Sequence, residues 1–106
     1  MTFDATAITE RLRLAGEDWS DKHAAAEALE HAAEGMLAKQ FLIATGNVEE
    51  RKARAKCSDE YQAAVKASID ARLAANKARV RYDTGKAYCE LIRTQESTKR
   101  AEMTMR

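Results

Sequence analysis

His23, Glu27, Glu30, His31 and Glu34 crowd a few turns of one stretch, and imidazole beside carboxylate is ligand chemistry for zinc or iron. The spacing argues against a metal site. A di-iron bundle uses Glu-x-x-His, but Ala28 stands three residues before His31, and a zinc-protease helix needs two His four residues apart. The five residues therefore read as a solvated acidic helix face, with Glu27 in contact with His23 and His31 and no metal or cofactor bound. Cys57 and Cys89 have no His near them in sequence, and neither a phosphate-binding glycine loop nor a Gly-x-Ser-x-Gly elbow is present. Catalysis is not expected. On one continuous helix the two thiols stand about 48 Å apart at 1.5 Å per residue, so both should stay reduced.

Cations carry the clearest pattern. Arg72, Arg79, Lys86, Arg93 and Arg100 recur at every seventh position, with Tyr82 on the same side. Such a stripe offers charges for phosphates and a ring for base stacking. Its other use is pairing with acidic helices, either Glu27, Glu30 and Glu34 of the same chain or those of another. Asp70, Asp83, Glu90 and Glu96 interrupt the positive field and favour pairing; reversing Arg79, Lys86 and Arg93 should then weaken assembly. The run Arg51 to Lys56 is a second basic cluster, read as a solvated helix start. Residues 1–46 hold 4 basic and 8 acidic side chains, and residues 47–106 hold 14 and 9, so halves of net −4 and +5 sum to the chain's +1.

These residues need helices to position them. The 106 residues contain no proline and four glycines, too few for the turns of an all-β fold, and 33% of them are charged. One all-α domain, 1–106, is expected, with helices at about 4–15, 21–45 and 48–103. Asp4 and Ser20 serve as N-caps and Gly16 as a stop, and Trp19 staples back onto the second helix. Asn47 caps the third helix with Glu50 three residues on, and Gly46-Asn47 turns the chain into an antiparallel helical hairpin. Ser58-Asp59 and Gly85 are the places where the long helix could kink.

Val65, Ile69, Leu73, Asn76, Val80, Ala87 and Leu91 fall in one sector of the third helix and give it a coiled-coil-like stripe. Asn76 either fixes register in the seam or sits at its edge. A second helix of about 25 residues covers only half of the third. Val80, Ala87 and Leu91 are then left for a second chain, and a homo-oligomer is expected. No run approaches the roughly 18 apolar residues of a membrane span, and the start lacks a secretory pattern, so a cytoplasmic protein without a membrane partner is expected.

The C-terminal stretch Leu91-Ile92-Arg93-Thr94-Gln95-Glu96-Ser97-Thr98-Lys99-Arg100-Ala101-Glu102-Met103 resembles the endings of small helical proteins of unassigned role encoded in phages and prophages. The resemblance implies a phage accessory protein, acting near DNA recombination or replication or against a host defence, and transfers no residue-level role. Together these features predict a non-enzymatic interaction protein that self-associates and binds another macromolecule, another protein first. Nucleic-acid binding by the basic stripe is the alternative.

Overall fold

The computed structural model describes residues 4–105, which form α1 (Ala5–Ile43), α2 (Val48–Cys57) and α3 (Asp59–Met105) with no strand among them. α1 and α3 run antiparallel as the arms of a hairpin, and α2 lies at its tip. The rod measures 84 × 21 × 16 Å, and its 23.6 Å radius of gyration far exceeds the ~13 Å of a compact domain of this length.

The expected first and second helices are a single helix. Ser20 caps nothing, and Gly16 does not stop the chain. The reason is a phase that runs unbroken through Gly16: Ile8, Leu12, Ala15, Trp19, Lys22, Ala26, Leu29, Ala33, Met36 and Gln40 alternate at steps of four and three. A helix keeping that phase holds one face on its partner for its whole length. Asp4 caps it as anticipated, its carboxylate accepting from the Ala7 N–H at 3.1 Å. On the exposed side Arg13 bridges Glu10 and Glu17, and its hydrogen bond holds the Glu10 carboxyl below the usual carboxylate range.

α3 meets α1 through Tyr61, Ala64, Ser68, Ala71, Ala75, Ala78, Tyr82, Gly85, Cys89 and Ile92, again at steps of three and four and all buried or half-buried. Most of these side chains are small. Ala26, Ala75 and Ala78 are almost fully buried, and no large side chain is. The stability of the pair therefore comes from close backbone approach along a narrow seam rather than from a thick core. The two aromatic residues of the middle are accommodated by glycine and by each other. Tyr82 stacks on Trp19, ring centroids 5.7 Å apart, and a Cβ on Gly16 would stand 3.1 Å from the Tyr82 ring. Trp19 is thus an interior residue of α1 and not a staple before a cap.

Gly85 causes no kink, because α3 is continuous there and the missing Cβ leaves room for Leu12, whose Cδ1 would lie 3.2 Å from it. The long helix breaks instead at Ser58, the other place its residues allowed. The Ser58 backbone is extended, with φ −66° and ψ 143°; its Oγ donates to the Ala55 carbonyl at 2.7 Å and accepts from the Tyr61 N–H at 3.3 Å. At the hairpin turn Gly46 takes a φ of +109°, which favours glycine, and the Asn47 side chain accepts from the Glu50 N–H at 2.9 Å.

Gly35 has neither role: it lies inside α1 with nothing within 4 Å of the position a Cβ would take. Gly35→Ala should therefore raise stability by about 1 kcal/mol through helix propensity alone. A thermal melt would register this as a rise of roughly 4–8 °C.

Candidate interaction surfaces

The His and Glu cluster is drawn into the hairpin at one point. Arg72 reaches from α3 across the seam to Glu30, its Nε donating to Oε1 at 3.0 Å, while Nη1 lies 2.9 Å from Nδ1 of His23. His23 Nε2 in turn faces Glu27 Oε1 at 3.0 Å. Since Arg72 can only donate, His23 Nδ1 accepts there and Nε2–H donates to Glu27. His31 approaches Glu34 at 3.9 Å on the exposed face, rather than Glu27. Among the described residues no three His, Cys, Asp or Glu gather as a metal site would need.

The cationic row runs beside the seam and divides into two parts. Arg72 is consumed by Glu30 and His23 of its own chain, and Arg79 lies 3.7 Å from Asp83 on the next turn. Lys86, Arg93 and Arg100 approach no carboxylate within 4 Å among the described residues. The cause lies in α1. Where Arg72 meets His23 and Glu30, the equivalent repeat positions nearer the start of α1 are Gly16 and Thr9, which offer no charge. Arg81, on the opposite edge of the seam, does find an acid, Asp18, at 3.5 Å. Within the chain, pairing across the seam thus holds for the first member of the row, and its last three meet no acid of α1 among the described residues.

Tyr82 does not belong to an open stacking surface. It is half-buried in the seam, with one face on Trp19 and Lys86 Nζ 5.5 Å from its ring centroid.

The second basic cluster is more than a solvated helix start. Arg51 Nη2 donates to the Phe41 carbonyl at 3.1 Å, and Arg54 Nη1 to the Thr45 carbonyl at 2.8 Å. α1 has no basic residue in its last turn, so Arg51 of α2 supplies a cation that its C-terminal carbonyls attract, while Arg54 holds the turn at Thr45. The Arg51 guanidinium also covers the Phe41 ring at 4.5 Å. Lys56 is left without such a role.

The apolar stripe of α3 is where expectation and structure differ most. Ile69, Leu73, Asn76, Val80, Ala87 and Leu91 all face outward, diametrically opposite the alanine seam, and only Val65 is half-buried. The stripe is uncovered over its whole length, and not just beyond residue 75, even though α1 extends along α3 until Ala5 and Ile8 stand beside Ile92 and Glu96. Val80 and Leu91 are 63% and 55% exposed. Asn76 lies on this outer face and so fixes no register in the α1–α3 seam.

The clefts along the rod are open. One of about 570 Å³ lies at the tip between α1 and α2, and one of about 330 Å³ flanks Trp19 and Tyr82. Cys57 is exposed and Cys89 half-buried, both as free thiols. No described helix is long and apolar enough to cross a membrane. No protein-family model matches the chain, and no curated protein or solved structure is significantly similar to it.

Proposed function

We propose that the chain is a non-enzymatic helical interaction protein of the cytoplasm that associates with a second copy through the outer face of α3 and presents its charged helices to another macromolecule. An accessory factor of the phage-encoded kind that its C-terminal stretch resembles fits that role. The observation that carries the reading is the row Ile69, Leu73, Val80 and Leu91, four large apolar side chains all more than half exposed along one helix face. An apolar row of this length is a liability unless another surface covers it.

Two further features favour a like copy as the cover. Charges at the edge of the row neutralise each other along the helix, Lys66 with Asp70 at 3.0 Å and Arg79 with Asp83 at 3.7 Å, so the face has little charge bias. The chain also exposes 8306 Å², against roughly 5,900 Å² for a compact monomer of 11.8 kDa, which leaves ample surface to bury. Static light scattering at micromolar concentration should give at least twice the 11.8 kDa chain mass, and Leu73→Glu with Val80→Glu should return the monomer. A wild-type monomer would overturn this reading.

A second reading is favoured by one observation. Lys86, Arg93 and Arg100, unpaired among the described residues, line up along some 21 Å of helix at 1.5 Å per residue, a row suited to phosphates.

A further inference from the structure

We infer that the cleft at the hairpin tip is a docking groove for a helix of another protein, one whose apolar stripe is edged by carboxylates a turn apart. The groove lies between the end of α1 and α2. Ala55 of α2 forms its base, Leu37, Phe41 and Leu42 of α1 line its walls, and Ala38 is exposed at its side. Ala55 is 1% exposed and is the only buried residue of α2, whereas Leu42 is 74% exposed on the wall. One small buried residue, Ala55, between larger apolar walls admits a third helix at close range, the helix-in-groove mode of recognition.

Charge selects the occupant. Lys52 and Lys56 stand one helical turn apart on the α2 rim, and Glu34 stands on the α1 side. Lys52 reaches only Glu49, at 4.0 Å, and Lys56 has no carboxylate within that distance among the described residues. The neighbouring arginines, Arg51 and Arg54, are held by the carbonyls of Phe41 and Thr45 and stay in place as fixed positive charge. An incoming helix with Asp or Glu at a spacing of four beside its apolar stripe would pair with both lysines, and a basic residue on its far edge would meet Glu34. A second copy is a poorer fit. The outer stripe of α3 has its edge acids Asp70 and Asp83 already paired with Lys66 and Arg79.

The test uses the full chain and two fluorescent helical peptides with the same leucine stripe, one edged with Glu at a spacing of four and one with Lys. Fluorescence anisotropy should show the Glu-edged peptide binding at least about tenfold more tightly. Lys52→Glu with Lys56→Glu should invert that preference, with helicity and light-scattering mass unchanged, since both side chains are on the surface. Equal binding of both peptides, no binding of either, or a preference that survives the charge swap would each overturn the inference. So would two other outcomes. Binding to phosphatidylglycerol vesicles in place of the peptide would assign the tip to a lipid surface. A drop in assembly mass in the charge-swapped chain would assign the groove to a second copy. Loss of assembly in the Leu73→Glu, Val80→Glu chain with peptide binding intact separates this groove from the self-association face.

Discussion

Ala75→Leu is expected to destabilise the hairpin by about 1–3 kcal/mol, whereas Val80→Ser, on the same helix, should stay within about 0.5 kcal/mol in the monomer. A reading that takes large apolar side chains to be the core predicts the reverse order. Ala75 is 1% exposed at the centre of the seam, where extra methyl groups can be placed only by separating the helices. Separation is costly because the neighbouring steps, Ala71 and Ala78, are also small and would lose their contacts with α1. Val80 points to solvent and gives up nothing within its own chain. Melting followed by circular dichroism, at dilutions where the chain is monomeric, should place Ala75→Leu roughly 4–8 °C lower for each kcal/mol lost. A larger loss for Val80→Ser would mean that the stripe, and not the alanine seam, holds the hairpin together.

Charge reversal of Lys86, Arg93 and Arg100 to Glu should abolish whatever affinity the chain has for DNA or RNA and leave its assembly mass unchanged. The structural reason is the division of the cationic row. Arg72 is held by Glu30 and His23, and Arg79 faces Asp83, so neither is free for phosphate. If three cations neutralise three phosphates of a duplex, log affinity falls with log salt at a slope near −2.7, about 40-fold between 50 and 200 mM. Gel shift or anisotropy titrations at several salt concentrations measure that slope. A flat salt dependence would exclude phosphate as the partner of this row, and a loss of assembly in the triple variant would show that these cations pair with acidic residues of a second copy. Arg72→Glu serves as the contrast. It should cost stability, because it places a third carboxylate against Glu30 and Glu27.

Much of the fold was legible from local chemistry. The absence of proline and the scarcity of glycine favour helices, and the Asp4 cap, the Asn47 cap with Gly46 before it and the weak point at Ser58-Asp59 are all used. Such signals act over one turn, so they survive any tertiary arrangement. Gly16 and Gly85 misled for the same reason. Read locally, a glycine in a helix is a stop or a kink; in the hairpin each is a gap filled by a side chain of the other arm, Tyr82 and Leu12. A clue was present in the steps of three and four that pass through Gly16 without a change of phase.

The order of residues by itself determined that this is a helical hairpin with opposite net charges in residues 1–46 and 47–106, because caps, propensity and charge are properties of each residue and its near neighbours. Which face of α3 turns inward was decided only by the tertiary structure. α3 has two candidate faces, one of large apolar side chains and one of alanine, serine and glycine, and helix periodicity weighs the first more heavily. Close packing against an α1 that is itself rich in alanine selects the second, since two small faces bring the backbones together while the large side chains remain outside. That choice leaves Ile69, Leu73, Val80 and Leu91 on the surface. It also decides which cations of α3 find a carboxylate across the seam.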